Sequence, residues 1–159
     1  MLTAILLEDH AWEKVAEPRR QEWRLAIREL LDDHVFRTEH SPLILRIAVD
    51  DAGVHMRWET PGQGEVAKTL VAHDKLKPFV TDYVDICRQM SALDVTEQAK
   101  LAVLDKAKQS SHDAGGRAID EACDPLGPTL DTARRMFTLI VTLLVDTTQM
   151  SALRRPHLG

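Results

Sequence analysis

Between Met136 and Val145 the chain carries no charged residue, and Asp131, Arg134 and Arg135 stand immediately upstream. A surface helix confines its apolar residues to one stripe and leaves a polar face for water. Here the apolar positions run almost all the way round, so a helix over this stretch has to be central to a core. That requirement constrains the fold more than any other part of the sequence. It also raises a question of charge. The two arginines fall near the helix N-terminus, where the peptide dipoles already concentrate partial positive charge. Something negative should answer them, either a carboxylate of the fold or a bound anion.

A chain of 159 residues is long enough to build such a core within one domain. Aromatics make up only 4%, which leaves leucine, isoleucine, valine and alanine to supply most of it. The net charge of −5 speaks against nonspecific nucleic-acid binding, whose affinity comes from lysine and arginine neutralising phosphates. Two cysteines, Cys87 and Cys123, give neither a disulfide framework nor a CxxC spacing. The apolar start, Leu2 to Leu7, is followed by acidic Glu8 and Asp9 and lacks a basic flank and a cleavage site. The uncharged run from Met136 is half of the ~20 residues a membrane span needs. A soluble, cytoplasmic, reduced protein with no membrane segment is expected.

Along the chain, Leu2–Leu7 resembles a strand. Glu17-Pro18 signals a helix start, and Trp23, Ala26, Ile27, Leu30 and Leu31 follow at helical spacing, to an end near Phe36. The period then changes. Ile44–Val49 and Val54–Thr60 are β-rich and separated by Asp50-Asp-Ala-Gly53, a hairpin signal; Pro61-Gly-Gln-Gly64 turns into a third run, Glu65–Val71. Helical spacing resumes after Asp74 through Leu76, Phe79, Val80, Tyr83, Cys87 and Met90. A further helix capped by Asp94 or Thr96 reaches about Ser111, and Gly115-Gly116 interrupts or ends it. Arg117–Cys123 reads as one more short helix. Thr129 or Asp131 caps the last, which runs to about Thr147. The predicted fold is α+β: a small antiparallel sheet of about four short strands packed against four to five helices, with a buried apolar C-terminal helix. Residues 1–148 form the single domain and residues 149–159 a flexible tail.

Three groups of residues carry candidate chemistry. Asp131 lies three and four residues before Arg134 and Arg135, the spacing at which helix side chains meet. A structural ion pair is the simpler reading, extended by Asp82 or Asp105 from other helices, since arginine's planar fork suits carboxylates. The alternative is an anion site, in which free N–H groups at the helix start join the guanidinium groups. His112-Asp113-Ala-Gly-Gly116 forms the second group, with Ser110-Ser111 before it. A Ser-His-Asp string is tempting, but a catalytic triad is a spatial object and consecutive helix residues point in different directions. A helix-ending loop with a capping or buried histidine is the preferred reading. In the third group, Cys87 shares an apolar face with Phe79, Tyr83 and Met90 and reads as a small buried hydrophobe. Seven histidines form neither HxxxH nor HExxH, so no metal site is predicted. No cofactor is predicted either, and no residue is assigned a catalytic role.

The stretch Asp131-Thr-Ala-Arg-Arg-Met-Phe-Thr-Leu139 is close to a D-T-A-R-R-x-F-T-L signature, a long and unusual string. Val80, Asp82, Tyr83, Ile86 and Cys87 fit V-x-D-Y-x-x-I-C, and His112 with Gly115 fits H-x-x-G, with Asp105 upstream. On these motifs the chain resembles a bacterial family known only as uncharacterised protein family 0262. The resemblance extends from about Thr3 to Val145. It takes in Glu22, Ala26, Ile27, Leu30 and Phe36 of the first helix and Pro42, Leu45, Ile47 and Asp51 of the hairpin. It implies one cytoplasmic domain and importance for the shared Asp-Arg-Arg, Asp-Tyr and His residues. It transfers no reaction.

With no catalytic constellation in view, the expected role is that of a non-enzymatic interaction or regulatory protein with a protein partner. The alternative is a binding protein or enzyme for a small anionic metabolite, a phosphate or carboxylate, held by Arg134 and Arg135 with His112 and Asp105 as acid–base neighbours. A third expectation, self-association, requires Met136–Val145 to remain partly uncovered within one chain.

Overall fold

Period-two alternation builds the first half of the molecule. The strands are β1 (Leu2–Leu7), β2 (Leu43–Val49), β3 (Gly53–Thr60) and β4 (Gly64–Ala72), adjacent in that order in one sheet. Leu43, Leu45 and Ile47 of β2 and Val54, Met56 and Trp58 of β3 are 2% exposed or less. Between them, Arg46 and Arg57 turn to the opposite face, where they pair with Glu59 and Glu8. One face of the sheet therefore belongs to the core and the other to solvent. The computed structural model that shows this describes residues 1–8 and 11–150.

The sheet is mixed rather than wholly antiparallel. β2, β3 and β4 form the predicted meander, but β1 runs parallel to β2, pairing Ile5 with Leu45 and Leu7 with Ile47. The cause is the connection. Helix α1 (Glu17–Asp32) lies between the two strands in sequence and carries the chain back, so β2 enters in the same direction as β1.

Helix α1 stops at Asp32, short of Phe36. The residues after it are drawn into other contacts: His34 Nε2 accepts from Leu2 N at 2.9 Å, and Val35 N donates to Thr132 Oγ1 at 2.8 Å. Three more helices follow, α2 (His73–Ala92), α3 (Gln98–Ala122) and α4 (Leu130–Leu144), with single 3-10 turns at Ala11–Lys14 and Asp124–Leu126. Thr129 caps α4, its hydroxyl accepting from Thr132 N.

Gly115-Gly116 does not end a helix. α3 continues through both residues, and the segment predicted as a separate helix, Arg117–Cys123, is its last part, with Cys123 the C-cap. The glycines are needed for close approach. A Cβ on Gly115 would lie 2.5 Å from the Phe137 ring, and one on Gly116 would lie 2.8 Å from Arg134 Cγ. Each glycine weakens an exposed helix by about 1 kcal/mol relative to alanine. Here they let α3 and α4 pack closely instead.

One hydrophobic cluster extends from Leu2 to Met150 and draws on every strand and helix. α4 contributes Ala133, Met136, Phe137, Leu139, Ile140 and Val141, each 2% exposed or less. Trp23 of α1 reaches across to it, donating from Nε1 to Thr142 O at 2.9 Å. Of the predicted tail, residues 151–159 lie outside the described residues, while Met150 is buried in the cluster. Among the described residues no helix is long and apolar enough to cross a membrane.

Candidate functional site

The close α3–α4 crossing gathers most of the polar candidates into one seam. His112 lies within the continuous α3, not in a terminal loop. Its Nε2 lies 3.0 Å from Arg134 O and 2.9 Å from Thr138 Oγ1, while Thr138 Oγ1 itself donates to Arg134 O at 3.1 Å. Arg134 O is a carbonyl and can only accept, so in this contact the histidine nitrogen carries the hydrogen. Nε2 therefore serves as a donor to the α4 backbone and not as a base. The ring is packed 5.1 Å from Tyr83 and 6.2 Å from Phe137, centroid to centroid.

Tyr83 extends the seam to α2, sharing hydrogen bonds with Cys87 and Thr138. Burial pushes its phenol far up from the ordinary value of 10.0, and the adjacent Cys87 adds to the shift. Burial likewise raises the Cys87 thiol, against the opposing effects of the Lys108 ammonium and the Tyr83 hydrogen bond. A thiol held protonated is a poor nucleophile. Tyr83 is the chain's one tyrosine, so tyrosinate absorbance reports this group alone. Above about pH 10 the unfolded chain gives up the phenolic proton while the native state keeps it, so stability falls as pH rises through that point. In an alkaline titration the tyrosinate band is expected to appear together with loss of the helical circular dichroism. Ionisation with the helical signal intact would contradict this assignment.

The arginines turn to carboxylates. Arg134 Nη1 pairs with Asp113 Oδ1 on α3, and its Nη2 pairs with Asp131. Burial opposes the guanidinium charge, yet Asp113 and Asp131 together raise its pKa above the ordinary value. Arg135 Nη2 pairs with Asp33 Oδ2 at 2.9 Å, at the C-cap of α1. The first turns of α4 are thus clamped to α3 on one side and to α1 on the other. Asp113 and Asp33 are the partners that sequence spacing did not find; they lie 21 and 102 residues from their arginines.

Asp82 and Asp105 do not join these pairs. Asp82 is exposed on α2, with no ion pair among the described residues. Asp105 is 3% exposed, near Lys108 at 1%, and accepts from Gln109 Nε2 at 3.5 Å. Both Asp105 and Lys108 have partners within the fold. Ser111, His112 and Asp113 diverge: Ser111 Oγ is buried with no hydrogen-bond partner among the described residues, His112 meets Arg134 O, and Asp113 meets the Arg134 guanidinium. They cannot act as a triad. Among the described residues no three His, Cys, Asp or Glu side chains converge as metal ligands. Through these contacts the seam joins α2, α3 and α4.

A family model described as "Uncharacterised protein family (UPF0262)" matches residues 1–146. Among similar proteins, the UPF0262 protein of Phenylobacterium zucineum is 26% identical over 147 residues, 89% of this chain and 91% of that one. The UPF0262 protein of Jannaschia sp. is 30% identical over 130 residues, covering 77% and 83% of the two chains. That of Rhizobium meliloti is 28% identical over 124 residues, covering 75% and 78%. No solved structure matches the chain.

Proposed function

This chain belongs to uncharacterised protein family UPF0262, and we propose that it is a non-enzymatic cytoplasmic interaction or regulatory protein. One observation carries the reading: the residues with the strongest claim to chemistry are engaged with one another. Arg134 is held by Asp113 and Asp131, Arg135 by Asp33, and His112 by the α4 backbone. The pairs are partly exposed, Asp131 and Asp33 most of all, so each is of modest strength; together they occupy both guanidinium groups, and a substrate would have to compete with carboxylates already in place. The chain's function then lies in what its surface binds. Affinity capture on the folded protein from native cytosol should recover a partner in stoichiometric amount. A monomer that emerges alone from repeated captures would overturn the proposal.

The small-anion reading at Arg134 and Arg135 ranks second, since a ligand there has to displace Asp113 and Asp131 from Arg134. A ligand at 100 times its Kd stabilises the native state by about 2.7 kcal/mol, a Tm rise of several degrees. We expect flat thermal shifts across phosphorylated and carboxylate metabolites. A saturable rise abolished by Arg134→Ala or Arg135→Ala would reverse the ranking. Self-association through α4 ranks last, because Met136, Phe137, Leu139, Ile140 and Val141 are each 2% exposed or less within one chain.

A further inference from the structure

We infer that the groove between α1 and the open edge of β1 binds an extended acidic peptide as an added strand. This inference rests on the interaction-protein reading and supplies the surface and the chemistry of the partner.

The edge comes first. β1 is the terminal strand of the sheet, with β2 on one side and no strand among the described residues on the other. Glu8 N donates to Ile47 O of β2 at 2.9 Å. Alternate residues of a strand direct their backbone groups to the same side, so Ile5 and Leu7 turn theirs away from β2, toward the open edge. Unpaired groups of this kind are a template for strand addition, and a peptide gains main-chain hydrogen bonds there whatever its sequence.

The groove beside that edge sets the sequence. It is an open volume of about 660 Å³ with Ile5, Ile27 and Leu31 as apolar lining. Trp12 and three arginines, Arg20, Arg24 and Arg28, complete the walls, with Asp32 at one end. Arg20 Nε and Arg24 Nη1 both donate to the one carboxylate of Glu17, and the Arg24 guanidinium lies 5.6 Å from the centre of the Trp12 ring. Arg28 is exposed and has no ion-pair partner among the described residues. Positive charge in the groove therefore exceeds what its own carboxylates neutralise, in a protein whose net charge is −5.

Spacing matches the two halves of the site. The arginines stand at i, i+4 and i+8, so they repeat at about 6 Å along α1. Same-face side chains of an extended peptide repeat at about 6.6 Å. As the crossover between two parallel strands, α1 runs back alongside β1, and a strand added to β1 would pass beneath the row. Glutamate at alternate positions would lay its methylenes on Ile27 and Leu31 and present its carboxylate to the guanidinium groups, bidentate where the fork allows. The intervening residues would continue the solvent face of the sheet, where threonine or valine fits the pleat.

The probe is a short fluorescein-labelled peptide of alternating glutamate and threonine. Its controls are a lysine-for-glutamate counterpart and a version N-methylated at alternate backbone amides. Fluorescence anisotropy should show saturable binding of the glutamate peptide alone. Arg28→Glu, at an exposed position with no ion pair among the described residues, should weaken it by about tenfold or more while leaving Tm in place. Hydrogen exchange should slow at the Ile5 and Leu7 amides when the peptide is bound. No binding at millimolar peptide, equal binding of the lysine or N-methylated forms, insensitivity to Arg28→Glu, or unchanged exchange at β1 would each overturn the inference. A partner captured from cytosol equally well by wild type and Arg28→Glu would leave the interaction role standing and remove this groove from it.

Discussion

Phe137→Ala is expected to lower the unfolding free energy by about 3–5 kcal/mol, the range for deleting a buried aromatic side chain. Phe137 is fully buried and packs edge-on to Tyr83, 5.6 Å between centroids at an interplanar angle of 76°. Much of that range reflects how well a site collapses around the space left behind. Here one wall is Gly115, which has no side chain to move inward, and the His112 ring beside it is tethered to Arg134 O. The cavity should persist, placing the loss toward the upper end. Urea denaturation of a two-state transition measures it directly. A loss below about 1.5 kcal/mol would mean that the α3–α4 contact is not a close-packed one.

Gly115→Ala tests the same contact from the opposite side and has a diagnostic sign. In an ordinary helix interior this substitution stabilises by about 1 kcal/mol. Here the new Cβ would stand 2.5–2.6 Å from three atoms of the Phe137 ring, and a rigid, fully buried ring cannot give way cheaply. Overpacking of this kind costs about 1–3 kcal/mol, so a net destabilisation is expected. The double variant Gly115→Ala with Phe137→Ala should then be more stable than Phe137→Ala alone, because the obstacle is gone and the propensity gain remains. Strong non-additivity in that cycle is the expected result. Additive single effects would place Gly115 outside contact with the ring.

The elements that sequence reading located are those whose evidence is local. Asp50-Asp-Ala-Gly53 and Pro61-Gly-Gln-Gly64 announce hairpins within a few residues, and β2, β3 and β4 flank them as an antiparallel meander. The Trp23, Ala26 and Leu30 face of α1 shows itself by period and is buried. What escaped depends on distance. An apolar run such as Leu2–Leu7 contains nothing that states its direction relative to a strand about forty residues away. Glycine pairs break helices by propensity, and only the Phe137 ring, on another helix, makes Gly115 favourable where it stands. Arg134 and Arg135 call for negative partners, and Asp131 stands one turn away. Nothing local to the sequence distinguishes Asp113 and Asp33 among 25 acidic residues, because folding alone brings them to the arginines.

The place of α4 in the chain has a consequence for biosynthesis. It is the last helix among the described residues, yet α1 and α3 both pack on it, and Arg19 and Trp23 of α1 bond to its carbonyls at Thr142 and Leu143. A ribosome delivers residues from the N-terminus onward, so β1, α1 and the meander emerge well before the segment that covers their inner faces. Until Leu144 clears the exit tunnel, Trp23, Ala26 and the α3 face at Gly115 have no α4 to pack against. The inner face of α1 and the α3 surface at Gly115 therefore stay uncovered until the apolar segment Met136–Leu144 has been made, and these contacts form late in synthesis.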